Sequence, residues 1–496
     1  MPGIASGAVA LSARHADPAD EAPRFVIPSF DPYLSCPTLS LDARLANRDL
    51  RALAAGIALM LVASTASSEP DRVVGYYPSW GIYDRGFEIA DLPGDKLTHV
   101  NYAFANLVGG QCVLGDPWAD VERHLPGDPW TGPGSDAPYF GNFKQLDLLQ
   151  EAHPELQTLI SVGGWTWSGN FSDAALTPAS RALFATSCAD FMEAYGFDGI
   201  DIDWEYPGGG GLSSNTSRPE DTENFTLLLQ ALRSELDARG AANGRHYALT
   251  IAAPAGAGKI ANIQVEQIHP LLDFINVMTY DFNGDFSPVS NFNAPLYASS
   301  GDPTSVPGSN GDASLQTYLA RGVPPDKLVM GIPFYARAVT GAANANGGLF
   351  QSFTGTPMGT WDTASTGATG MFDYADIAAN YLGQPGIESY RDAEAGVPWL
   401  YAPASGLFIS YDDPTSLALK RDYVDTHQLG GVMIWEMSAD FDGQLLDALL
   451  GAPTPPTVPA LAPSALGLLT ASLGYAAARH RSRMRPAEPL SGQPLG

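Results

Sequence analysis

The chain has 496 residues, 45% of them hydrophobic and 10% aromatic, enough to bury a large core without disulfide or metal staples. Its 26 basic residues face 54 acidic ones, and the stretch 71–450 alone carries 17 − 46 = −29. Such a body repels phosphate backbones, which argues against nucleic acid as a partner and leaves neutral or cationic ligands. Three cysteines without a CxxC pair or a Cys/His spacing give no zinc site, and no metal or cofactor enters the reading. Cys112 and Cys188 stand open between a disulfide and two buried thiols.

In chain order, residues 1–70 read as a leader. Its apolar run 52–63 follows Arg44, Arg48 and Arg51 and precedes the small-residue string Ser64-Thr65-Ala66-Ser67-Ser68. A basic stretch, a short apolar core and small residues form the pattern of a secretory signal, so the chain is expected to be exported. The body, 71–450, then alternates short β-rich runs with helical periodicity. Strands are predicted at Val73–Tyr77, His99–Phe104, Thr158–Val162, Gly199–Asp203, Ala248–Ala253, Phe274–Thr279, Leu328–Ile332 and Gly431–Trp435. Helical segments include Phe143–His153, Ala179–Tyr195 and Thr222–Arg239. Eight such units predict an α/β fold, a closed (β/α)8 TIM barrel, over a doubly wound sheet. About 98 residues separate Ile332 from Gly431, too many for one connection. β-like pieces at Gly348–Phe353, Trp399–Ala402 and Leu407–Tyr411 point to an α+β insertion, about 338–407, between strands seven and eight. Residues 451–459 form a Pro-rich linker, and 460–496 an apolar, uncharged stretch ending in an Arg-rich tail. The Val458-Pro459 start of that segment resembles bacterial sorting tags of the Pro-Glu-Pro type, without the Glu, and predicts a membrane tether.

Chemistry in such barrels sits at the C-terminal ends of the strands. The fourth strand ends Asp198-Gly199-Ile200-Asp201-Ile202-Asp203-Trp204-Glu205-Tyr206-Pro207. Side chains alternate faces, so Asp201, Asp203 and Glu205 share the lumen while Ile200, Ile202 and Trp204 face the helices. Three adjacent carboxyls cannot all ionise cheaply, so a proton is shared or retained near neutral pH.

The run DGIDIDWEYP resembles the DxxDxDxE signature of glycoside hydrolase family 18, the chitinases and endo-β-N-acetylglucosaminidases. Other strand ends carry the same resemblance in order: GYYPSW, NYAF, SVGGW, MTYDF, GIPFYAR and MIWEM, spanning about 71–450. The resemblance implies retaining hydrolysis in which the substrate's 2-acetamido oxygen replaces an enzyme nucleophile, an exception to the two-carboxylate rule. It makes Glu205 the general acid and then the general base, and Asp203 the group that orients the acetamido. Asp201 would exchange a proton or hydrogen bond with Asp203, Asp198 would hold the strand start, and Tyr280 would donate to the acetamido oxygen. Trp435 would floor the sugar site, lined by Met278, Asp281, Tyr76, Phe104, Trp165, Tyr335 and Arg337. Gly163 and Gly164 would allow close backbone approach. Trp80, Trp167 and Trp399 stay open between sugar contact and core. The expected activity is hydrolysis of chitin or N-acetylglucosamine oligomers. The alternatives are an endo-β-N-acetylglucosaminidase acting on N-glycans and a chitin-binding lectin, which the intact Glu205 opposes.

Overall fold

Alternation along each strand decides the architecture of this computed structural model, which describes residues 71–125, 139–304 and 306–451. The predicted signal, almost all of the Pro-rich linker and the C-terminal segment lie outside the described residues. Eight parallel strands pair in the order β1 (Arg72–Pro78), β2 (His99–Val108), β4 (Gln157–Gly163), β5 (Gly199–Asp203), β6 (Ala248–Ala253), β7 (Phe274–Val277), β8 (Leu328–Pro333) and β14 (Gly431–Trp435), and β14 closes on β1. β3 (Gln111–Val113) adds an antiparallel hairpin on β2.

Outward residues such as Ile160, Ile200, Ile202, Ile251, Ile332 and Ile434 pack with Phe184, Leu228, Leu232 and Leu236 into one buried cluster. Inward apolar residues, among them Val74, Tyr76, Ala103, Phe274, Val329 and Met433, form a second, smaller one inside the barrel. Helices α1 (Gly141–Ala152), α2 (Pro178–Ala194) and α3 (Asp221–Asn243) cover the segments predicted for them. α2 starts where the Thr177 hydroxyl accepts from the Ser180 N–H ahead of Pro178, and α3 ends at Gly244 in the left-handed region.

Two strand ends depart from the sequence reading, and both departures shape the site. β2 continues past Phe104, and its register against β4 slips between Ala103 and Ala105, a bulge that re-aims Phe104. β7 stops at Val277, two residues early. Thr279 N–H bonds to Val277 O and Tyr280 N–H to Met278 O, each at 2.8 Å, and these tight turns carry Tyr280 and Asp281 across the barrel mouth.

The insertion is a five-stranded antiparallel sheet, in the order β10 (Met371–Asp373), β9 (Tyr335–Val339), β13 (Leu407–Ser410), β12 (Val397–Ala402) and β11 (Glu388–Asp392). It therefore starts before 338 and ends after 407. The predicted strand at Gly348–Phe353 is absent. Asn346, Gly347, Gly348 and Phe350 all have positive φ, and Phe350 N–H is engaged by Ser290 O, so no ladder forms. Trp399 is core here: it is buried, stacks on Tyr390 and donates to Gly347 O at 2.9 Å. Cys112 and Cys188 are joined in a disulfide between β3 and α2. Among the described residues no helix is long and apolar enough to cross a membrane.

Candidate active site

β5 carries the acidic row. Asp201, fully buried in the lumen, accepts from the Tyr76 hydroxyl at 2.7 Å, Ser161 Oγ at 2.8 Å and Thr250 Oγ1 at 2.6 Å. None of these partners is Asp203. Asp203 sits one step nearer the mouth, and its Oδ1 is buried without a hydrogen-bond partner. Glu205 ends the row; its backbone N–H donates to Ser168 Oγ at 2.8 Å. Asp198 lies at the opposite end, where it accepts from Gln150 and the Thr158 N–H and pairs with Arg245, so it anchors the start of the strand.

Burial is the first cause acting on all three carboxyls of the row. It raises Asp201, opposed by the hydroxyl donors of Thr250, Tyr76 and Ser161. It raises Asp203 well above the carboxylate range, reinforced by the charges of Glu205 and Asp201. It pushes Glu205 up to about 7, opposed by the Tyr206 hydroxyl and the Lys259 charge and reinforced by Asp281. The row is graded: a carboxyl held by three hydroxyls at depth, one with an unpartnered oxygen above it, and an acid at the mouth that holds its proton near neutrality.

Aromatics surround the acid. Phe104 stacks on Trp435 at 5.7 Å, Tyr76 meets Trp435 edge-on at 5.6 Å, and Trp80 lies 6.4 Å from Trp435. Gly164, at φ +75°, is required because a Cβ there would come within 2.7 Å of the Phe104 ring. At Gly163 a Cβ would come within 2.4 Å of Asp203 O, so the glycine pair allows the close approach expected of it. Met278 packs in the inner cluster with Tyr280 and Trp435. Trp165 is exposed, while Trp167 is partly buried against the inner cluster. Tyr280 Oη lies 3.7 Å from the soft Met433 Sδ, so its proton remains available to a better acceptor.

Tyr335 and Arg337, expected as lining residues, hold Asp281. The Tyr335 hydroxyl donates to Oδ1 at 2.5 Å, and the guanidinium grips both oxygens at 2.8 and 2.7 Å. Asp281 itself has φ +54°, with its N–H bound to Asn293 Oδ1 at 3.0 Å. Ser161, Thr250, Ser168, Tyr206, Lys259 and Asn293 were not singled out in the sequence. Thr250 was within reach, since alternation along β6 puts it on the lumen face. Asn293 and Lys259 come from connections whose course no local pattern fixes.

The raised Glu205 carboxyl has a thermodynamic signature. Below pH 4.5 the group is neutral in folded and unfolded chains alike, and Glu205→Gln is expected to match the native protein in stability. Between 4.5 and about 7 the unfolded chain ionises while the folded one keeps its proton, so the native protein loses stability and the variant does not. The variant should be the more stable above about 7, where the gap becomes constant. Denaturation midpoints followed across this range check the sign, and coincident curves at alkaline pH would show that Glu205 is not held neutral.

Comparison with known proteins agrees with this geometry. The family profile described as glycosyl hydrolases family 18 matches residues 72–440. A chitinase of Niallia circulans is 42% identical over 80% of this chain, which covers 60% of that protein's length. An endochitinase of Metarhizium robertsii is 38% identical over 81% of this chain and 91% of its own. The solved structure of a chitinase from Bacillus thuringiensis superposes with a TM-score of 0.73 at 40% identity, covering 78% of this chain and 70% of that one. A row of carboxyls on the fourth barrel strand, an aromatic mouth and a profile match across the whole barrel give one conclusion: the chain belongs to glycosyl hydrolases family 18.

Proposed function

We propose that the chain is a chitinase that hydrolyses β-1,4 bonds between N-acetylglucosamine units, with retention and with the substrate's acetamido group as nucleophile. The observation that carries this reading is the graded row, in which Glu205 stays protonated near neutrality beside a carboxyl oxygen of Asp203 that has no partner. The apolar face of a sugar would lie on Trp435. Glu205 protonates the glycosidic oxygen as that bond breaks, and the acetamido oxygen bonds to the anomeric carbon. Asp203 accepts the acetamido N–H and faces the oxazolinium charge, while Tyr280 donates to the acetamido oxygen. Asp201 lies under Asp203, held by three hydroxyls. Glu205, now a carboxylate, takes a proton from water as that water opens the ring.

Glu205→Gln keeps the shape and loses the proton, so turnover of chitin oligomers should fall by about 10²–10⁴ while binding persists. Asp203→Asn should also be slow, and Tyr280→Phe should lose about 10². The first product seen by NMR should be the β anomer. An α anomer appearing first would overturn the scheme, and with it the roles of Asp203 and Tyr280.

A groove built for a chain explains the insertion. Trp361, 40% exposed, is fixed by its Nε1–H bond to Asp373 at 2.6 Å and by Arg85 over its ring at 5.4 Å. Arg85 also pairs with Glu436, next to Trp435, at 2.7 Å, so the insertion borders the mouth. On the same segment as Arg85, Trp80 contacts Phe104 and Trp435, and Tyr83 stacks on Trp118 at 5.9 Å. Removing 338–407 would strip β9 of its sheet partners, so a point change is the better probe. Trp361→Ala should lower polymer hydrolysis several-fold more than cleavage of a short chromogenic substrate; equal losses would refute the wall.

The same reading places the enzyme outside the cytoplasm. The basic–apolar–small leader directs export, the 460–496 segment acts as a tether, and the Cys112–Cys188 disulfide suits an oxidising compartment. Cells making the full chain or residues 1–455 are fractionated and their thiols labelled. The expected outcome is both chains outside the cytoplasm with Cys112 and Cys188 protected, and only the full chain membrane-bound. Two cytoplasmic chains with free thiols would overturn it.

A further inference from the structure

Lys259 lies on a four-residue helix, Ala257–Ile260, that follows β6. Its side chain is half-buried, yet among the described residues no carboxylate oxygen comes within 4.0 Å of the ammonium. The ammonium sits instead over the face of Tyr206, 3.9 Å from the ring centroid. Tyr206 is the residue after the acid and packs with the inner aromatic cluster, and its hydroxyl opposes the rise of the Glu205 carboxyl. A cation on one face of a phenol withdraws electron density from the ring, which makes the O–H on its rim a stronger donor.

The charges around Glu205 leave this cation a defined task. Asp203 and Asp201 stand below the acid on β5. Asp281 faces it from the turn after β7, beside Tyr280, and Arg337 on β9 is engaged bidentately by Asp281. Every carboxylate near Glu205 therefore opposes its ionisation, and the guanidinium is already neutralised by a partner. Resting on the role of Glu205 as acid and then base, we propose that Lys259 is a positioning residue for proton transfer. Through the Tyr206 ring it fixes the phenol beside the acid and supplies the positive charge that lets the Glu205 carboxyl release its proton and return as the base. The direction of the electrostatics agrees: Lys259 lowers Glu205 against burial, and Glu205 with Asp281 raises Lys259 against burial.

The test is the pH profile of kcat/KM on a chitin oligomer, measured with Lys259→Met, Lys259→Arg and Tyr206→Phe. The alkaline limb reports loss of the acid form of Glu205. Removing a nearby positive charge raises the pH at which a carboxyl ionises, so Lys259→Met should carry that limb upward by roughly 0.5–1 in pH. Turnover below the limb should fall several-fold, because the weaker acid protonates the leaving oxygen more slowly. Lys259→Arg keeps a cation that can lie on the ring and should restore the limb. Tyr206→Phe keeps the ring, loses the hydroxyl and should move the limb in the same direction as Lys259→Met. A Lys259→Met limb that superimposes on the native one overturns the inference, as does failure of Arg to restore it, which would make the lysine a packing or sugar contact. Glu205→Gln is assayed alongside. If it still cuts, the reading of Glu205 has failed; if it is inactive while the Lys259→Met limb stays put, only the inference about Lys259 has failed.

Discussion

Removing a row of carboxyls from water is the constraint on which the rest of this structure depends. Asp201 and Asp203 lie on one inward face of β5, with Glu205 just beyond its end, and each is buried. An isolated buried carboxylate is far costlier than a hydrogen-bonded one. The barrel answers differently at each depth. Around Asp201 it gathers hydroxyls from β1, β4 and β6, so that a charge there is solvated by protein. Around Asp203 it leaves one oxygen bare. At Glu205 the balance falls between these, with one phenol and one distant ammonium set against burial. A single strand and the residues just past its end thereby offer three carboxyls in different surroundings, which a solvent-exposed acidic edge could not do.

The aromatic ring of the mouth follows from the same geometry. A closed parallel barrel needs inward side chains large enough to fill it, and Tyr76, Phe274, Met278 and Met433 do so. Where the strands end, the aromatic positions that filled the lumen below become walls of a groove. The bulge in β2 turns Phe104 onto Trp435, and the tight turns after β7 bring Tyr280 against Met433 and Tyr335. Packing residue and groove residue thus differ by one or two steps along the same strand.

That continuity explains what could be read from the chain alone. The eight strand cores and the inward alternation of Asp201, Asp203 and Glu205 were legible because strand periodicity is local and apolar runs are short and bounded. The two misread strand ends, after Phe104 and before Thr279, are the places where backbone hydrogen bonds leave the ladder pattern, and no side-chain periodicity marks that. The missing strand at 348–353 failed for a related reason: a run of positive φ at Asn346, Gly347, Gly348 and Phe350 is a backbone choice that β-like composition hides. Trp399, open in the sequence between sugar contact and core, is core because its surroundings are set by Tyr390 of the neighbouring β11 and by the Gly347 turn, which is distant in the chain. Ser161 and Thr250 were readable in principle by alternation; Asn293 and Lys259 were not.

The insertion and the catalytic mouth are one electrostatic unit. β9, its first strand, begins two residues after β8 ends and carries Tyr335 and Arg337, which bind both oxygens of Asp281. Asp281 raises the Glu205 carboxyl, so an unpaired Asp281 would make that acid still harder to ionise and slow its return as a base. Pairing Asp281 with a guanidinium confines its field, and the partner is available only when β9 lies between β10 and β13. Arg85 makes a similar pairing, binding Glu436 after β14 and Asp373 of β10 together. Asp281, at the exposed rim, is therefore paired by a residue of the insertion itself, while buried Glu436 is paired by Arg85, which the insertion's Asp373 also holds. The insertion thereby adds to the charge pairing of the barrel mouth as well as to its shape.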